Sequence, residues 1–492
     1  MSDPFTEHKK LVIIGAGFGG IGMAARLVQS GERDFVLLEK SDGVGGTWWV
    51  NRYPGCACDV PSHLYSFSFA PNPNWSRRFA PRHEIQAYLE QCVRQFNLNG
   101  HLHLNRAVRT LRWDDRHRHW QIADQHGQTI TADFVISAIG GLSRPGWPDI
   151  PGMQSFGGQV IHSQLWHGED LKNQRVAVIG TGASAVQFVP QIAHEAKQLT
   201  IFQRTPNWIL PRPDQAISSA RKKRFARWPW LQKLARFGIW LIAECRVPGL
   251  MWSNRLAWGH RLLARRHLRR QIPNPELRKK LTPDYAIGCK RVLLSSDYYP
   301  ALMRTNVELI DTPIACIEPD AVVDASGRRH TIDMLILATG FRATEPVPRG
   351  MIIGRDDQDL HQTWREGPQA YRGTNVTGFP NLFMLLGPNT ALGHNSVVVM
   401  IEAQIDYTLK ALEYMQQNQL VSMDIQPEAQ RRYNDRLQRK LARSVWNTGS
   451  CGSWYLHPQS GLNTTLWPGF TWQYRWLMRR FRWKDFEFDS EF

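Results

Sequence analysis

The sequence predicts an α/β protein made of two Rossmann-like dinucleotide-binding units, the second carrying a helical insert. Three observations support this. An apolar strand runs into a glycine turn twice, in LVIIGAGFGG from Leu11 and in RVAVIGTGASA from Arg175. Related strands close the two units, ADFVISAIGG from Ala132 and IDMLILATGF from Ile332. Between Arg221 and Lys280 the strand pattern yields to alternating basic and apolar residues, as in amphipathic helices.

The first turn has each part that a pyrophosphate needs. Gly15 permits the tight turn, Gly17 lets the backbone approach phosphate, and Gly20 lets the following helix pack closely with its N-terminus toward the anion. The next strand, DFVLLEK, delivers Glu39 where a carboxylate accepts both ribose hydroxyls. Short alternating runs from Leu102 to Ser137 predict an antiparallel layer.

The second turn, with Gly180, Gly182 and Ala185, is followed by LTIFQ and then by Gln203, Arg204 and Thr205 where an acid would stand. An arginine there suits a 2′-phosphate that a carboxylate would repel, so this unit is read as binding NADPH rather than NADH. Two such units in one chain suggest one bound flavin and one diffusible nicotinamide. The 492 residues divide as 1–145 with 346–492 for the first unit and 146–345 for the second, with the insert at 213–290. The first unit is completed by NLFMLLGPNTALGHNS and a helix from Val397 to Gln416. Between the turns, FGGQVIHSQLW spaces Phe156, Gly158, His162 and Trp166 as F-x-G-x-x-x-H-x-x-x-W.

The net charge of +17 is local: 17 Lys or Arg stand against Glu244 and Glu276 between Arg221 and Lys280. It reads as the solvated basic face of a helical subdomain, with attraction of cofactor phosphates or a membrane surface as the alternatives; no nucleic-acid partner is expected. The apolar stretch from Phe237 is interrupted by Glu244, Arg246 and Pro248, short of the roughly 20 residues of a spanning helix. No export signal is read at the start, and a cytoplasmic protein is expected. Seven scattered cysteines suggest no disulfide framework; Cys56 and Cys58 are expected to be buried free thiols, and no metal site is indicated.

Taken in order, GAGFGG, GGTWWVNRYPGCACDV, the spaced linker, GTGASA, CKR at Cys289 and ATG at Ala338 resemble the class B flavin monooxygenases, and within them the Baeyer–Villiger monooxygenases. GPNTALGHNS resembles the hydroxyacetophenone type, and His167 departs from the Pro or Asp that the family places after the tryptophan. The resemblance implies FAD and NADPH as cofactors, and a ketone and O2 as substrates joined through a C4a-peroxyflavin to give an ester or lactone. It assigns Arg291 as the active-site arginine and Asp59 as its orienting carboxylate. Gly46, Thr47, Trp48, Val60, Tyr65 and Val108 are implied on the flavin side, and Thr181, Ala183, Ser184, Gln187, Thr205 and Lys290 on the nicotinamide side. The linker becomes a hinge in which His162 is a contact and not a base. Two alternatives stand beside this reading. One is a flavin monooxygenase oxidising sulfur or nitrogen, and the other a non-catalytic membrane or nucleic-acid binder using the insert.

Overall fold

Two parallel sheets organise the chain in the computed structural model, which describes residues 7–490. In the first, strand His8–Ile14 lies between Phe35–Leu38 and Thr129–Ser137, parallel to both, and Leu102–His103 extends the far edge. All four residues of Phe35–Leu38 are buried, as expected of a strand covered on both faces. The runs Val108–Asp114 and His119–Asp124 form the predicted antiparallel layer beside the lower half of Thr129–Ser137. Strand Leu382–Met384 pairs with the upper half of that strand, and helix Val397–Gln417 packs on helix Phe18–Ser30, so the C-terminal part completes this unit.

The second sheet runs Val307–Ile310, Gln198–Phe202, Arg175–Ile179, Met334–Leu337, Gln159–His162, all parallel. Its edge strand, Gln159–His162, comes from the stretch read as a linker: β-branched Val160 and Ile161 pair with Leu335 and Ile336. The two closing strands occupy equivalent places, each beside the strand that carries its glycine turn.

The insert is helical, with helices at Ser219–Arg227, Pro229–Glu244, Val247–Met251, Trp258–Gln271 and Pro275–Lys280. The expectation of a solvated basic face holds for Ser219–Arg227, which buries Phe225. It is overturned for Pro229–Glu244. That helix buries Gln232 and Glu244 and exposes Trp230, Leu234, Phe237, Leu241 and Ile242, because its polar side chains find partners in the protein body. Among the described residues, no helix is long and apolar enough to cross a membrane.

The cysteine reading needs one correction. Cys56 and Cys58 are free and buried, but Cys289 and Cys451 form a disulfide across 162 residues of sequence. The C-terminal loop folds back onto the segment before Lys290, a juxtaposition that cysteine spacing does not encode.

Candidate active site

At the first turn Gly15 has φ +100°, and a Cβ there would lie 2.7 Å from the Ala138 carbonyl oxygen. A Cβ on Gly20 would lie 1.9 Å from the Gly15 oxygen, so the close start of the helix excludes any side chain. Buried Glu39 accepts the Ala16 amide at 2.7 Å and the Ser41 amide at 2.9 Å, bracing the turn it is expected to serve. Gly46 faces Gly17, leaving two bare stretches of backbone beside the helix N-terminus, a surface that fits the pyrophosphate of FAD. Thr47 opens a short helix to Val50, and Trp48 within it donates from Nε1 to the Tyr65 hydroxyl at 3.3 Å. Val60 is half-buried next to Asp59, and Val108 begins the first antiparallel strand.

The second turn repeats the first. Gly180 has φ +105°, its missing Cβ is 2.6 Å from the Ala338 oxygen, and a Cβ on Gly182 would meet nothing within 4 Å, leaving room for an anion. Ala183 and Ser184 follow in the turn, Ala185 starts helix Ala185–Ile192, and the Thr181 hydroxyl donates to the Thr205 carbonyl at 3.4 Å. Arg204 is exposed, and Lys290 lies over the Tyr285 ring at 5.2 Å. Burial, and then the nearby Arg204 charge, lower the Lys290 pKa. Two cations thus converge where a 2′-phosphate fits. Gln187 instead turns toward the first unit, where its amide pairs with both the N–H and the C=O of Ala57 at 3.0 and 3.1 Å.

The spaced stretch joins the two crossings between the sheets. Gly146 donates to the Gly340 carbonyl at 2.8 Å, Pro145 and Phe341 form an isolated bridge, and the His162 Nε2 lies 3.1 Å from the same Gly340 oxygen. Because His162 Nδ1 accepts the Gln164 amide at 3.2 Å, the proton is on Nε2, which donates. Burial pushes the His162 pKa down and keeps the ring neutral. Gly158 is required by packing, since a Cβ would lie 2.2 Å from the Asp333 oxygen and 2.7 Å from the Phe156 ring. Trp166 is buried against Phe188, while His167, the departure from the family pattern, is exposed.

Asp59 and Arg291, 232 residues apart, form a two-point ion pair: Nε to Oδ2 and one terminal nitrogen to Oδ1, both at 2.7 Å. Burial alone would raise the Asp59 carboxyl, but the guanidinium outweighs it and holds the group below its usual range. The Asp59 charge in turn raises the Arg291 pKa, so the cation is permanent. The pair is not sealed, as the Arg291 side chain retains 40% exposure to the cleft. Sequence reasoning missed Tyr455, a buried residue close enough to Arg291 that each influences the other's charge. It also missed Arg212, which donates to the Cys58 carbonyl at 3.3 Å and whose charge reaches Asp59. Neither lies in a local motif. Near the C-terminus, Trp454 is exposed, whereas Asn463 and Trp467 are buried.

Two glycine-turn units, one suited to FAD and one to a 2′-phosphorylated nicotinamide nucleotide, are the architecture of a class B flavin monooxygenase, and the fold defines that class. A family profile described as "Pyridine nucleotide-disulphide oxidoreductase" matches residues 12–229. Cys56 and Cys58 are free, and burial pushes the Cys56 thiol up to about 11 and Cys58 higher still, which leaves them unreactive. A Baeyer–Villiger monooxygenase of Pseudomonas aeruginosa is 53% identical over 96% of this chain and 90% of that protein. One of Streptomyces coelicolor is 46% identical over 96% and 91%. A closed crystal structure of cyclohexanone monooxygenase superposes with TM-score 0.88 at 28% identity, covering 98% of this chain and 99% of the other. An oxidised steroid monooxygenase bound to NADP gives 0.86 at 29%, covering 98% and 100%. The chain belongs to the Baeyer–Villiger monooxygenases, FAD- and NADPH-dependent enzymes that oxidise ketones.

Proposed function

We propose that Arg291, oriented by Asp59, is the residue that makes this chain a ketone-oxidising monooxygenase and not a heteroatom oxidase. The two-point pairing carries the reading. Bound FAD supplies oxygen activation and NADPH the hydride. The protein's part is to set the charge that meets the reacting oxygen. A guanidinium fixed by two hydrogen bonds favours an anionic oxygen nucleophile over its protonated form, and it needs no reorganisation when the ketone arrives. Gln187 fixes the loop that carries Asp59. Gly15, Gly17, Gly20, Glu39, Gly46, Thr47, Trp48, Val60, Tyr65 and Val108 hold the flavin in this reading. Gly180 to Ala185, Arg204, Thr205 and Lys290 hold the nicotinamide nucleotide, and His162 acts at the hinge.

In this reading the chain divides into 1–145 with 346–492, and 146–345 with the insert at 213–290, a division supported by the Gly146–Gly340 hydrogen bond between the crossings. The GPNTALGHNS stretch favours the hydroxyacetophenone-type subgroup, so turnover of 4-hydroxyacetophenone above cyclohexanone is expected. Dependence on NADPH supports a cytoplasmic location in this reading.

The deciding experiment uses Arg291→Ala. Anaerobic reduction of its flavin by NADPH should proceed as in the wild type, while ester formation falls by about 100-fold or more. Ester formation at the wild-type rate would end the assignment.

A further inference from the structure

Helix Pro229–Glu244 is turned inside out relative to a surface helix of a globular protein. Trp230, Leu234, Phe237 and Leu241 follow one another at helical spacing, and Trp230 and Phe237 are 61% and 55% exposed. On the opposite side Gln232 and Glu244 are only 4% and 3% exposed. The inward polar groups are fully engaged. Arg236 caps the carbonyls of His63 and Ser66 at 2.9 and 2.8 Å, and Glu244 accepts from Asn395 at 2.6 Å and from the Thr471 amide at 2.9 Å. The helix is therefore fixed in this orientation, and rolling its apolar side inward would leave the His63 and Ser66 carbonyls, Asn395 and the Thr471 amide without these partners.

The surface continues beyond the helix. Trp240 donates to the Thr471 hydroxyl at 2.8 Å, and Trp252 packs against Phe470 at 6.1 Å, so exposed Trp252 and Trp472 adjoin the same face. Around it stand exposed Arg224, Arg227, Lys233 and Arg255, and the only acids between Arg221 and Lys280 are buried Glu244 and Glu276 at the far end.

We propose that this face seats the enzyme peripherally on a bilayer that contains anionic phospholipid. Tryptophan, phenylalanine and leucine match the interface between headgroup and acyl chain, and the surrounding cations match the anionic headgroups. A second copy of the chain is disfavoured, because the same contact would bring two strongly basic inserts together. Nucleic acid would use the cations and leave Leu234, Leu241 and Ile242 in water.

The test is co-sedimentation of the full-length, FAD-loaded enzyme with vesicles of phosphatidylcholine containing about 30% phosphatidylglycerol, or none. The wild type should bind the anionic vesicles at least about tenfold more tightly than the neutral ones. The variant Trp230→Ser/Phe237→Ser/Ile242→Ser should lose about tenfold or more in vesicle affinity. It should keep its bound-flavin spectrum and its NADPH oxidation rate, since none of these side chains reaches the cleft. The variant Arg224→Gln/Arg227→Gln/Lys233→Gln should lose the preference for anionic lipid. Absence of vesicle binding by the wild type, or unchanged binding by the serine variant, overturns the proposal. So does sedimentation equilibrium that shows a dimer dissociated by the serine variant without any vesicle binding, which would assign the face to a second copy.

Discussion

Arg204 and Lys290 come from different elements, yet each feels the other's charge, and the lowered Lys290 pKa records the repulsion after burial. A 2′-phosphate between them would relieve that repulsion and add charge-assisted hydrogen bonds, each worth about 1.5–3 kcal/mol. Arg204→Ala should therefore lower kcat/KM for NADPH by about 10- to 100-fold and leave NADH nearly unchanged. Steady-state kinetics with both nucleotides decide the matter, and an unchanged ratio would remove Arg204 from the site. Asp59 and Arg291 illustrate the same dependence on tertiary structure. CACDV and CKR are visible in the chain as short motifs, but the paired distances of 2.7 Å exist only once the insert has looped out between them.

The glycine turns were legible because their cause is local: an apolar strand, a residue forced to positive φ, and a helix that starts too close for a side chain. The matching carbonyls at Ala138 and Ala338 also followed from the two closing strands. The fingerprint strand was less legible, since Gln159–His162 gains its strand character from pairing with Met334–Leu337 and not from its own length. Orientation of the Pro229–Glu244 helix was illegible for another reason. Periodicity gives a face but no inward direction, and the direction is set by carbonyl and carboxylate partners far away in sequence. Between the two crossings, His162 carries a pH signature. Its folded pKa lies below the ordinary 6.5, so the unfolded chain binds the proton more readily. Its contribution to stability is complete above about pH 6.5 and is lost as the pH falls toward the depressed folded value. The urea midpoint of the wild type should fall on acidification below pH 6.5, and His162→Asn should flatten part of that fall; identical pH slopes would show that the ring does not titrate on unfolding.

Across the whole molecule, the chain is closed on itself at the cleft. Cys289 stands immediately before Lys290 and Arg291, and Cys451 lies four residues before Tyr455, a buried tyrosine close enough to Arg291 that each influences the other's charge. The bond therefore ties the C-terminal loop to the segment that bears the central cation. Its loop of 162 residues is long, and closing it restrains the unfolded chain by about 2–5 kcal/mol. Burial of both cysteines shields the bond from thiol reductants, which must reach a sulfur to open it. The loop also has support of its own: Ala286 donates to the Gly449 carbonyl at 3.2 Å, and Gly449 packs against Cys289 so closely that a Cβ would lie 2.7 Å from its Sγ. Cys451→Ser should accordingly lower the thermal midpoint and loosen Tyr455 without unfolding the cleft. Ester formation should drop several-fold while flavin reduction by NADPH falls less, because the Gly180 turn lies outside the tethered loop and only Lys290 adjoins it. Thiol titration of the denatured wild type should find five free cysteines before reduction and seven after. Seven at the outset, with Cys451→Ser as stable as the wild type, would mean that the loop is held by its packing alone.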